Sequence, residues 1–85
     1  MKYSYTTERE VCADHIDVEI ENGVLVSAKF YGGCNGNTQG VCRLAEGRPV
    51  EEVMELTRGI RCGFKKTSCP DQLAKAIAEA LQQND

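Results

Sequence analysis

His15-Ile16-Asp17-Val18-Glu19-Ile20-Glu21-Asn22-Gly23-Val24-Leu25-Val26-Ser27-Ala28-Lys29-Phe30 decides the fold. From His15 to Glu21 apolar and polar residues alternate without a break. Ile16, Val18 and Ile20 share one face, and Asp17, Glu19 and Glu21 share the other. That period of two is the mark of a half-buried strand. Asn22-Gly23 is the strongest short hairpin signal, because a type I′ turn needs positive φ at both central residues. Val24 to Phe30 is then the returning strand, with Val24, Val26, Ala28 and Phe30 expected inward. Tyr3 to Thr7, rich in strand formers, predicts a third strand.

Beyond Phe30 the period changes. Gly32-Gly33 ends the sheet, and Asn35 to Ala45 predicts a short helix, weakened by Gly36 and Gly40 and stopped by Gly47. Pro49 suits a first-turn position. Val50, Val53, Met54 and either Leu56 or Thr57 trace a buried stripe behind it, and Gly59 follows as a C′ residue. The last helix repeats Leu73, Ile77 and Leu81 every four residues, beside Ala76 and Ala80. Ser68 and Asp71 have capping-box spacing, while Pro70 leaves Cys69 as an alternative cap. The tail from Gln82 to Asp85 is expected to fray. The order is sheet, then helices. It predicts an α+β layer: a three-stranded antiparallel sheet followed by two or three helices on one face.

The chain has 85 residues, which is one domain, residues 1–85. So short a chain buries only about 60–65% of its unfolded surface, and its core is small. Ten Lys and Arg against 13 Asp and Glu give a net charge of −3, which argues against general nucleic-acid binding. No apolar run approaches membrane-spanning length, and the first residues carry no signal-peptide core. A cytoplasmic location is expected. In that reducing compartment five Cys suggest metal binding or redox chemistry before a disulfide framework.

Cys12, Cys34, Cys42, Cys62 and Cys69 are separated by 21, 7, 19 and 6 residues, so no Cys-x-x-Cys pair exists. Any site must gather its ligands through the fold. Cys12 lies before the alternating strand and Cys34 after the returning one, so the hairpin carries both to the same end of the sheet. Cys69 opens the last helix, where the helix dipole favours a thiolate. Asp14, two residues after Cys12, points to the same side as Cys12 in an extended chain. It reads either as an oxygen ligand or as a solvated turn residue. Cys62 is a fourth ligand or a core residue. Cys42, between Val41 and Leu44, reads as core. His15, the only His, reads as a surface residue of its strand. Gly32 to Asn37 lacks the order of a phosphate loop. Arg58, Arg61, Lys65 and Lys66 form a small basic cluster, which reads first as a solvated face.

Thr67-Ser68-Cys69-Pro70-Asp71 spells TSCPD. With Gly32 to Asn37 and Leu56 to Cys62, it makes nearly the whole chain resemble a family of small cysteine-rich proteins that carry this motif. That family is related to the C-terminal domain of adenosylcobalamin-dependent ribonucleotide reductases. The chain is also similar to a shortened iron–sulfur cluster assembly scaffold. Cys12 and Asp14 match its Cys-x-Asp, Cys34 its Gly-Cys, Gly47 to Glu52 its middle segment, and Cys69 its last Cys. This likeness implies Cys12, Cys34 and Cys69 as metal ligands with Asp14 nearby, holding zinc or an iron–sulfur cluster. Ser68 stands where scaffolds carry His, and the chaperone-binding segment is replaced by Arg61 to Lys66. Cys62 is extra, and suits a four-sulfur site. Three functions follow as expectations: a metal-binding accessory or scaffold module, a thiol relay serving ribonucleotide reductase or another metalloenzyme, and an interaction domain whose Cys only pack. With no nucleophile–base pair, catalysis by this chain alone is not expected.

Overall fold

A computed structural model describes residues 1–7, 13–32, 35–60 and 67–83. Three strands, β1 (Lys2–Thr6), β2 (Ala13–Glu21) and β3 (Val24–Gly32), form an antiparallel sheet in the order β1-β2-β3. Three helices follow: α1 (Asn35–Ala45), α2 (Val50–Thr57) and α3 (Cys69–Gln83). The α+β reading is correct.

The β2–β3 turn has Asn22 at φ 53° and Gly23 at φ 75°, as a type I′ turn requires. Its exit differs from the expectation. Glu19 pairs with Ser27 but Ile20 pairs with Leu25, so Val26 has no partner and forms a β-bulge. The extra residue moves the face pattern by one. Leu25 is fully buried, whereas Val26, expected inward, is 46% exposed. From Ser27 onward the parity is restored: Ala28 is buried and Phe30 packs against the core.

One face of the sheet carries the core. Ile16, Val18, Ile20, Leu25 and Ala28 cluster with Cys42, Ala45, Val50, Val53, Leu73, Ala76, Ile77 and Ala80 from the helices. In α2 the stripe uses Thr57, which is half-buried, and Leu56 is exposed. In α3 the helix continues through Gln83, past the point where fraying was expected, and residues 84–85 lie outside the described ones. Pro49 precedes α2 as its N-cap rather than its first residue.

The α1–α2 connection seals the edge of β3. Gly47 N–H donates to the Leu25 carbonyl (2.7 Å), and Leu25 N–H donates to the Arg48 carbonyl (2.9 Å). Val50 N–H donates to the Gly23 carbonyl (2.9 Å), and Ala28 N–H to the Glu46 carboxylate (3.2 Å). Over Leu25 to Ala28, main-chain groups that an edge strand would leave open are thus paired within the chain.

Candidate functional site

Among the expected site residues, Asp14 and Cys69 lie in the described parts of the chain. Cys12, Cys34 and Cys62 lie outside the described residues. Ala13, next to Cys12 in sequence, is the register partner of Gly32, two residues before Cys34.

Asp14 falls at a second irregularity in the ladder. Ala13 pairs with Gly32 and His15 with Tyr31, which leaves Asp14 unpaired against β3. Strict alternation along β2 is therefore interrupted at Asp14, and the expected alignment of Asp14 with Cys12 falls on a residue outside the described ones. The Asp14 side chain is exposed and stands over Gly32. A Cβ on Gly32 would lie 3.3 Å from Asp14 Oδ2, and Gly32 has φ +84°. The left-handed backbone favours glycine here, while the exposed Asp14 carboxylate would have to give by only a few tenths of an ångström. On the β1 side, the Asp14 carbonyl accepts from Thr7 N–H (3.2 Å) and Thr7 Oγ1 (2.8 Å). Gly32→Ala should cost about 1–2 kcal/mol through the backbone alone. Urea unfolding would measure this as a lower midpoint at unchanged slope.

Beside this rim, on the face away from the helices, His15 stacks on Tyr31 with ring centroids 4.2 Å apart and planes 9° from parallel. Lys29 Nζ lies 5.0 Å from the Tyr31 centroid. His15 is therefore half-buried by a cross-strand aromatic pair, rather than standing free on the surface.

The signature residues at the start of α3 do structural work. Ser68 is the N-cap: its Oγ accepts from Asp71 N–H at 3.3 Å and donates to the Ile60 carbonyl at 2.6 Å. That leaves Cys69 in the first turn of α3 and not at the cap. Asp71 Oδ1 accepts from Gly59 N–H at 2.6 Å, and Asp71 Oδ2 accepts from the Thr67 hydroxyl. Gln72 Nε2 donates to Thr67 Oγ1 at 2.9 Å. Thr67, Ser68, Asp71 and Gln72 are all buried. Burial opposes the charge on Asp71, but the Thr67 and Gly59 hydrogen bonds and the nearby Lys75 ammonium (3.6 Å) outweigh it. Its carboxyl is held below the usual range. Spacing alone pointed to Ser68 and Asp71 as a cap. The roles of Thr67 and Gln72 carried no sequence signal.

A family model described as TSCPD domain matches residues 1–81. The chain belongs to the TSCPD domain family. That family's link is to ribonucleotide reductase. No curated protein and no solved structure matches the chain. In this TSCPD domain the Thr, Ser and Asp of the signature hold one another and the end of α2. Cys69 is half-buried in the first turn of α3.

Cys42 is buried in the core, as expected, and burial raises its thiol to about 11. Among the described residues there is no cluster of three or more His, Cys, Asp or Glu able to hold a metal ion, and no helix long and apolar enough to cross a membrane. A shallow apolar cleft of about 300 Å³, lined in part by Val41, Leu44, Leu56, Ile60 and Pro70, lies beside the α3 N-terminus. Leu44 and Leu56 are 72% and 64% exposed, a feature that residue spacing did not indicate.

Proposed function

We propose that this TSCPD domain is a small metal-binding module, an accessory or scaffold unit. Its ligands are Cys12, Cys34 and Cys69, completed by Cys62 or Asp14. Zinc is the simplest occupant, since three or four thiolates suit its tetrahedral site, and an iron–sulfur cluster takes the same donors. The observation that carries the reading is the Ala13–Gly32 pairing at the rim of the sheet. Cys12 is one peptide from Ala13 and Cys34 two from Gly32. The second support is the Ser68–Ile60 hydrogen bond (2.6 Å), which ties the residue before Cys69 to the residue two before Cys62. Each of two cysteine pairs thus has its sequence neighbours in contact, although the pairs are far apart in the chain. Asp14 adds an exposed carboxylate at the first rim. For so small a core, bound metal would contribute folding energy.

Elemental analysis of protein prepared without added metal, with absorption spectra for a cluster, tests the proposal. About one zinc ion or one cluster per chain is expected. Cys69→Ser should lose it, and comparison of Cys62→Ser with Asp14→Ala identifies the fourth ligand. Metal-free protein whose thiols all titrate would refute the reading.

The Ser68–Ile60 contact also favours a second reading, a thiol relay in which Cys62 and Cys69 form a reversible disulfide without metal. Its partner would be ribonucleoside-diphosphate reductase or another metalloenzyme. A disulfide that forms and reduces reversibly in metal-free protein, mapped to Cys62 and Cys69, would support it.

A further inference from the structure

The two edges of the sheet are treated differently by the chain. The β3 edge is covered from Val24 to Ala28 by the segment from Glu46 to Val50. The β1 edge is not closed by any described residue. The phase of its hydrogen bonds follows from the two ends of the β1–β2 ladder. Met1 exchanges both main-chain bonds with Ile20 (3.0 and 2.8 Å), and Thr7 N–H donates to Asp14 (3.2 Å). Odd-numbered residues of β1 therefore pair with β2. The N–H and C=O groups of Lys2, Ser4 and Thr6 point away from the sheet, toward the edge. The side chains of these three residues are exposed.

We infer that the chain forms a two-fold dimer in which β1 pairs antiparallel with β1 of a second copy. The strand Lys2-Tyr3-Ser4-Tyr5-Thr6 is self-complementary about Ser4. In the centred register Ser4 faces Ser4, and Lys2 of each copy faces Thr6 of the other. All three pairs present their outward-pointing main-chain groups to one another, giving about six hydrogen bonds. Lys2 is the only charge on β1, and this register sets it against a neutral residue, so no like charges are opposed. On the helix-covered face Tyr3 of one copy lies beside Tyr5 of the other at non-hydrogen-bonded positions, where side chains come closest. Both tyrosines are half-buried and already pack against the core. The product is one continuous six-stranded sheet with an isologous interface, and its two outer edges are the sealed β3 edges. Lys2 on a short edge strand deters pairing in many registers, and here it selects the one in which it meets Thr6.

Sedimentation of the full chain over the micromolar range tests the inference. The wild type should run at twice the monomer mass. Ser4→Pro removes an N–H that points out of the sheet and leaves every β1–β2 bond intact, so it should give a folded monomer by circular dichroism. Thr6→Lys sets Lys against Lys2 twice and should raise the dissociation constant about fivefold, an effect that added salt reduces. A wild type that stays monomeric overturns the inference. So does a dimer that survives Ser4→Pro, which would point to the exposed Leu44 and Leu56 instead. If Ser4→Pro fails to fold, Thr6→Lys decides, and an unchanged dissociation constant there overturns the pairing.

Discussion

Leu73→Ala should lower the unfolding free energy by about 3 kcal/mol. Leu73 is completely buried on α3, among Ile16, Val18, Ile77 and Val53 of the core cluster. Removing three carbons loses their transfer free energy and leaves a cavity that a sheet-backed site closes poorly. A domain of this size holds only about 4–13 kcal/mol in all, so the loss is a large share of its stability. Urea unfolding at neutral pH measures it as a lower midpoint with unchanged slope. Leu44→Ala is the matched control: at 72% exposure it should change stability by less than about 0.5 kcal/mol. Equal effects for the two would mean that α3 does not pack on the sheet through Leu73.

Asp71→Ala should cost about 2–4 kcal/mol, because it strands two donors at once. Gly59 N–H and the buried Thr67 hydroxyl both lose their acceptor, and Lys75 loses a nearby carboxylate. The effect should depend on pH. The carboxyl is depressed in the folded state, so its contribution is complete above the unfolded value of about 3.9 and fades as pH falls through the folded one. The stability gap between wild type and Asp71→Ala should stay constant from pH 7 to about pH 5, and narrow below about pH 4. A gap that does not change down to pH 3 would mean that the charge plays no part. Thr67→Val should reproduce part of the loss, since it removes one of the two donors.

Much of the fold could be read from local patterns. Ile16, Val18 and Ile20 alternate, and Asn22-Gly23 specifies its turn, so the hairpin is over-determined by its own residues. Leu73 and Ile77 repeat at helical spacing and both are buried. The residues from Leu25 to Val26 read wrongly for a definite reason. Both are strand formers, and either satisfies an alternating pattern, whereas the bulge goes with the main-chain bonds of Leu25 to Arg48 and Gly47. That partner is more than 20 residues away and leaves no trace in the period. The candidate site divides the same way. Ser68 and Asp71 announced a cap through their spacing, whereas Asp71's second role, accepting from Gly59, is a tertiary contact across 12 residues. The bulge at Asp14 likewise depends on Gly32, its neighbour on another strand.

The closed β3 edge restricts how this chain can vary in length. Connections between helices ordinarily tolerate insertion, because they run over the surface with few bonds to lose. The stretch from Glu46 to Val50 instead behaves as a partial fourth strand, giving or taking main-chain bonds with Gly23 and Leu25. Adding residues there would uncover Leu25 and Ala28 amides on a strand that holds an exposed Val26, and would turn a protected border into an adhesive one. Loop grafts and tags belong elsewhere, and relatives that lengthen this connection need another way to cover the same amides.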